Sequence, residues 1–434
     1  MQRKQLLFVF RRGCLSVLAT MLLSTCAWAS TETLLHSFTS GSTDGGNPSS
    51  GLAADAAGNL YGTTQIGGNS TGCGPFGFNS CGVVFKLAPD GSGGWNYSVI
   101  YSFTGGADGG WPYSTPAIDS LGNLYVTTTQ GGNAGGGTAV QLSPGSGGTW
   151  NLAVLHSFGS GTDGSVPRAG LTVRGNVLYG TTTGGGTGTA CGPFGGMPCG
   201  TVYQLLRISA NSWAERVIYS FGGSSDGGIP LGSVTFDNAG YLYGTTSQGG
   251  GNGGGTVYRL TPGPSFGGGW IEKTLYAFTG GSDGGYSYGN VSFDNAGNLY
   301  GTTGTGGTYN VGTVFQMQNS GGNWTLFTLH SFMGSPDASV PEAGVTVQGN
   351  TLYGTTYNGG TGTTCGLFGG PCGTVYQVTN NGGTWTESVV YSFLGGADAG
   401  QPLGNLYIDQ SGKLYGTGFT GGSAGFGAVF QVTP

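Results

Sequence analysis

Asn59-Leu60-Tyr61-Gly62-Thr63-Thr64 decides how the rest of the chain is read. The phrase returns intact at Asn298–Thr303. It returns with small changes at Asn123–Thr128, Val177–Thr182, Tyr241–Thr246, Thr351–Thr356 and Lys413–Thr417. Its tyrosines, Tyr61, Tyr125, Tyr179, Tyr243, Tyr300, Tyr353 and Tyr415, are spaced 53 to 64 residues apart. A recurring period of this size marks a repeat architecture. A catalytic site is normally single, so a phrase written seven times is read as scaffold.

Working outward, each phrase is preceded by a short apolar run and a tight turn, as in Val234-Thr235-Phe236-Asp237 and Asn238-Ala239-Gly240. Gly and Asn supply the positive φ that a tight hairpin needs. After each phrase comes a Gly-rich loop and then a run of the type Gly-Thr-Val-Tyr. A further hairpin leads to an alternating run such as Trp150–Phe158, which ends at Phe103, Phe158, Phe221, Phe278, Phe332 or Phe393. The first such run, ending at Phe38, has no Trp eight residues before its Phe. Four short strands per unit, in seven units, predict an all-β fold: a seven-bladed β-propeller of four-stranded blades. The units fall near residues 39–103, 104–158, 159–221, 222–278, 279–332, 333–393 and 394–434 plus 31–38. The chain opens on one strand and ends one strand short, so the N-terminal strand is expected beside Gly427–Val432, closing the ring. The loop rich in Asp and the loop that carries cysteines should share one face, because antiparallel strands alternate direction.

Residues 1–29 read as a signal peptide: Arg3, Lys4, Arg11 and Arg12, an apolar stretch, then Ala27-Trp28-Ala29. Residues 30–434 then form a single domain. Removing the signal leaves eight Lys plus Arg against eighteen Asp plus Glu. Nucleic acid, which needs clustered basic residues, is excluded as a partner. No second hydrophobic segment follows, so no transmembrane span and no C-terminal anchor are expected in the mature chain. Cys73 with Cys81, Cys191 with Cys199, and Cys365 with Cys372 lie in equivalent loops. In a secreted chain such pairs read as disulfides; as zinc sites each loop would be two ligands short. The expected location is secreted, periplasmic or at the cell surface, as a monomer.

The order Phe-x-x-Gly-x-Asp-Gly-x-x-Pro, Asp-x-x-Gly-Asn-Leu-Tyr-Gly-Thr-Thr, Gly-Gly and Gly-Thr-Val-Phe resembles the GloVer tandem repeat of secreted bacterial proteins with variable anchors. The resemblance covers nearly the whole mature chain. It implies a surface or secreted repeat protein of uncharacterised function. The segment Asp-x-x-Gly-Asn-Leu-Tyr is also similar to NHL-type propeller repeats, which are mostly binding platforms.

Candidate chemistry is sought where the repeats carry polar groups or differ. Seven equivalent carboxylates, Asp44, Asp108, Asp163, Asp226, Asp283, Asp337 and Asp398, could ligate Ca2+ through oxygen. Each loop brings a single carboxylate, so an Asx-turn ahead of Gly is the favoured reading, and no cofactor is required. Asp55, Asp119, Asp237, Asp294 and Asp409 sit in the turns before the phrase and read as turn chemistry. His36, His156 and His330 share a position filled elsewhere by Tyr, which reads as packing rather than a catalytic base. Arg168 and Glu342 break the repeat at equivalent positions after Pro167 and Pro341. With the loop aromatics Trp111, Tyr113, Tyr286 and Tyr288 they form the candidate ligand-binding set; Phe76, Phe78, Phe194 and Phe368 are further loop aromatics. The expected function is a binding scaffold for extracellular carbohydrate or protein. The competing readings are a propeller glycoside hydrolase or lyase, which would need converging carboxylates, and a structural envelope protein.

Overall fold

The computed structural model describes all residues except 1–29, 71, 74–79, 160, 193–194, 210–211, 264–268 and 367–368. The signal-peptide reading and Phe76, Phe78, Phe194 and Phe368 therefore lie outside the described residues. The rest forms seven antiparallel blades, each of four strands from inner to outer, a β-propeller. Blade 1 runs Ala53–Ala54, Leu60–Thr64, Val83–Pro89, Trp95–Ser102; the same order recurs in every blade. The repeated phrase is the second strand throughout. Blade 7 takes its inner three strands from Tyr407–Ile408, Leu414–Gly421 and Ala428–Thr433 and its outer strand from Thr31–Ser37. Leu34 pairs with Phe430 and Ser37 with Ala428, so the ring closes as the strand count requires.

The core is not one cluster but seven, each astride two neighbouring blades. The closing one joins Phe38, Tyr415 and Val429 of blade 7 to Leu60, Phe85 and Leu87 of blade 1. The first five letters of the phrase each have a place in this arrangement. Asn59 donates from its backbone and side chain to Asp55, and Tyr61 donates its hydroxyl to the same carboxylate at 3.0 Å. Leu60 is buried. The Tyr61 ring meets the edge of Trp150 on the outer strand of blade 2 at 6.1 Å, and equivalent Tyr–Trp contacts cross five further interfaces. At Tyr353 the partner position, eight residues before Phe38, is Ser30.

Gly62 pairs across the sheet with Phe85, and a Cβ there would lie 2.4 Å from the ring. Gly180, Gly244, Gly301, Gly354 and Gly416 face Tyr203, Tyr258, Phe315, Tyr376 and Phe430 in the same way. Blade 2 has no aromatic at that place, only Val140, and there the phrase carries Val126 instead of Gly. The glycine is a volume complement to the ring, not a turn residue. The first Thr of the phrase ties each blade to the next. Thr63 Oγ1 donates to Ser114 O, Thr127 to Ala169 O, Thr181 to Gly232 O and Thr245 to Gly289 O. Thr302 to Ala343 O, Thr355 to Gly404 O and Thr417 to Ser50 O complete a closed ring of seven.

Candidate functional site

The path from the Asp loop into each inner strand is sharply bent. Asn47, Trp111, Val166, Ile229, Tyr286, Val340 and Gln401, one per blade, all have φ between 51° and 56°. A β-branched residue in this region is strained. Six of the seven precede Pro, which also disfavours helical backbone angles. Neighbouring blades hold the bend. The amide of Trp111 donates to Cys81 O, that of Val166 to Gly136 O, and that of Ile229 to Cys199 O, at 2.7 to 2.9 Å. The three disulfides, Cys73–Cys81, Cys191–Cys199 and Cys365–Cys372, form in these loops. They sit against glycines of the next Asp loop: a Cβ on Gly110, Gly228 or Gly400 would come within 2.4 Å of a cysteine sulfur. The cysteine loop and the Asp loop thus share a face.

The bend aims the next-but-one residue inward. Ser49, Tyr113, Arg168, Leu231, Tyr288, Glu342 and Leu403 line an axial cavity of about 320 Å³ to which all seven blades contribute. The Arg168 guanidinium lies 4.7 Å from the centre of the Tyr113 ring, a cation–π contact. Burial raises the Glu342 carboxyl above its ordinary range, with the charge of Arg168 acting in the opposite direction. Burial and the nearby Glu342 carboxylate raise the Tyr288 and Tyr357 phenols. Tyr288 fits because residue 304 is Gly; a Cβ there would be 2.3 Å from its ring. One cation, one desolvated carboxyl and two phenols at the end of a rigid channel can orient a polar ligand with an apolar face. Among the described residues lining the cavity, Glu342 is the only carboxyl group.

Of the six ligand-binding candidates, Tyr113, Arg168, Tyr288 and Glu342 come together here. Trp111 and Tyr286 occupy the bend itself. Trp111 packs against the cluster between blades 1 and 2 and donates its indole N–H to Ser80 O at 3.3 Å, whereas Tyr286 is exposed. Sequence reasoning passed over Ser49, Leu231 and Leu403. The signal that finds them is the column two residues after each bend, which reads Ser, Tyr, Arg, Leu, Tyr, Glu and Leu across the seven repeats.

The seven Asp-loop carboxylates sit at the rim where the outer strands end, and none of them lines the axial cavity. Each accepts an amide from the residue after the outer-strand Phe, for example Gly222 N to Asp226 at 2.7 Å and Leu394 N to Asp398 at 2.8 Å. Each also meets the aromatic that ends the outer strand. Tyr101, Tyr219, Tyr276 and Tyr391 donate hydroxyls to Asp108, Asp226, Asp283 and Asp398 at 2.8 to 3.2 Å. His36 and His156 take the same role toward Asp44 and Asp163 at 3.0 and 2.9 Å, and His330 lies 3.5 Å from Asp337. The shared His/Tyr position is thus both a packing site, edge-on to the following Phe, and a polar partner of the loop. Asp44 is lowered to about 2: hydrogen bonds from His36 and Thr39 outweigh the larger single effect of burial, which acts upward.

Against this rim, four interfaces place a Glu from the next outer strand: Glu215 beside Asp163, Glu272 beside Asp226, Glu387 beside Asp337 and Glu32 beside Asp398. Burial, with the facing carboxylate adding to it, raises Glu215, Glu272 and Glu387 to about 7 and Glu32 to about 8; a Thr274 hydroxyl partly offsets this at Glu272. Glu215, Glu272 and Glu387 each adjoin the buried hydroxyl of Tyr203, Tyr258 or Tyr376, whose ionisation they oppose.

The family model of the Gloeobacter/Verrucomicrobia repeat matches residues 23–194 and again 194–368. No curated protein matches the chain. Among solved structures, the chain is similar to a Thermus thermophilus protein named as an oxidoreductase (glucose dehydrogenase). The identity is 15%, the match covers 74% of this chain and 96% of that one, and the TM-score is 0.44. Among the described residues no helix is long and apolar enough to cross a membrane, and the three disulfides are bonds that persist in oxidising compartments. With two matches spanning most of its length, the chain belongs to the Gloeobacter/Verrucomicrobia repeat family.

Proposed function

We propose that this propeller is a secreted binding module that takes an extracellular carbohydrate at the loop-face mouth of its axial cavity. The observation that carries the reading is the ring of seven equivalent positions in which the scaffold repeats and the cavity-facing side chain does not. Tyr113 and Tyr288 supply flat faces for a sugar ring, and Arg168 and Glu342 supply hydrogen bonds to its hydroxyls. Rigid scaffolds with variable loop-end residues are where binding is usually placed. The lone Glu342 disfavours glycoside hydrolysis, which in most enzymes uses two carboxyl groups roughly 5 to 9.5 Å apart.

The test is a glycan array probed with the purified chain and with Arg168→Ala and Glu342→Gln variants. Binding that both variants lose, without turnover of the bound glycan, supports the reading. Turnover of a hit makes the protein an enzyme and overturns it. Retention of an isolated protein partner by a surface unrelated to the cavity overturns it as well.

A further inference from the structure

Two of the seven rim positions differ from the rest in chemistry. At the junction of blades 5 and 6, His330 ends one outer strand, Asp337 follows in the loop, and Glu387 comes from the next outer strand. Their ligating atoms lie within 4.8 Å of one another, and so do those of His156, Asp163 and Glu215 between blades 2 and 3. The equivalent junctions elsewhere put Tyr in place of His, or Tyr or Leu in place of Glu, so the full set of three occurs at these two.

The first cluster is also incompletely satisfied. Asp337 Oδ1 and Glu387 Oε1 are buried and lack a hydrogen-bond partner, and buried His330 Nε2 has only the long 3.5 Å contact to Asp337 Oδ2. Asp337 is 8% exposed, and its other oxygen accepts the Met333 amide at 2.9 Å. A buried polar atom without a partner is costly, and such atoms converging on one point are rare. In the second cluster His156 and Asp163 satisfy each other, while Glu215 Oε1 is left without a partner.

We propose that His330, Asp337 and Glu387 bind a divalent transition-metal ion of the Zn2+ class, with His156, Asp163 and Glu215 forming a second site of the same kind. One imidazole and two carboxylates suit zinc, whose sites commonly hold three protein ligands and leave one position for water. Ligand atoms about 2.1 Å from such an ion stand roughly 3.4 Å apart in a tetrahedron, a closure that small side-chain rotations supply. The imidazole turns the site away from Ca2+, which takes oxygen ligands. Such an ion would link the outer strands of adjacent blades across an interface otherwise held by packing and by hydrogen bonds such as Thr302 Oγ1 to Ala343 O.

The test uses the full mature chain, dialysed against chelator and titrated with Co2+ or Zn2+. Metal content after desalting, Co2+ absorption and melting temperature are read together. Two equivalents of metal and a higher melting temperature are expected. H330Y should bind one equivalent and H156Y/H330Y none, with the far-ultraviolet spectrum unchanged, because Tyr already fills this position in four blades. Retention of two equivalents by the double variant, or none by the parent chain, overturns the proposal; so does displacement of bound Co2+ by equimolar Ca2+.

Discussion

The Gly–aromatic complement inside the repeated phrase makes a quantitative prediction at blade 5. A Cβ on Gly301 would lie 2.5 Å from Phe315 Cζ and 3.0 and 3.3 Å from two neighbouring ring carbons, with only that ring among its three nearest atoms. Contact distance between carbons is about 3.5 to 4.0 Å. Phe315 is fully buried, so the ring must move about 1 Å within a packed core. Overpacking of this kind costs about 1 to 3 kcal/mol, and Gly301→Val should lie at the upper end. Stiffening of the unfolded chain offsets less than about 1 kcal/mol of it. Phe315→Val alone leaves a cavity and costs roughly 2 to 4 kcal/mol. The double variant G301V/F315V reproduces the Val126–Val140 pair of blade 2 and should be markedly more stable than the two costs added together, by about 2 kcal/mol or more. The assay is equilibrium urea denaturation of all four proteins, with melting temperatures alongside. Costs that add to within about 0.5 kcal/mol, or a Gly301→Val change without effect, would refute the complementarity argument.

Three further outcomes follow from the same architecture. Glu215, Glu272, Glu387 and Glu32 are raised in the folded state, to about 7 and about 8, so they favour folding in their protonated form. Their contribution is full at mildly acid pH and is lost as pH rises from the ordinary Glu range through 7 to 8; Asp44, depressed to about 2, acts oppositely and fails only in strong acid. In chelator the melting temperature should therefore fall between pH 5 and 9, and E215Q/E272Q/E387Q should flatten that fall; a rising profile contradicts the assignment. Thr417→Val removes the donor that binds Ser50 O across the closure and should cost about 1 to 2 kcal/mol, as should Thr302→Val in mid-ring; a Thr417 effect far above the Thr302 one would mean that closure is not equivalent to the other junctions. Finally, the position equivalent to the Trp that packs on the phrase's Tyr in other blades is Ser30 for Tyr353, which forgoes about 0.5 to 1.5 kcal/mol of ring contact. Amide exchange should accordingly be faster in Thr31–Ser37 than in Asn323–Ser331, and equal protection would count against the seam being weakest.

Much of this protein is local and hence legible in the chain. Gly and Asn at fixed places set the turns, alternation sets the strands, and a first strand without its Trp marks the closure of the ring. The disulfide pairs are equally local, seven or eight residues apart. The loop set was legible only in part: Arg168 and Glu342 stood out as irregular, but Trp111 was grouped with Tyr113 although one is packed into the bend and the other faces the cavity. Two neighbouring positions part in this way because a positive-φ residue at the bend redirects the chain, and adjacent blades enforce that backbone angle through bonds such as Trp111 N to Cys81 O. The sequence by itself determined seven four-stranded blades, their order and their closure, since these rest on periodicity and turn chemistry within each unit. Only the tertiary structure decided that the phrase's Gly answers a ring on the next strand, that seven scattered residues meet at one axis, and that Glu387 comes to lie beside His330 and Asp337. Those contacts join residues far apart in the chain, or strands whose facing is fixed by packing, and no local pattern specifies them.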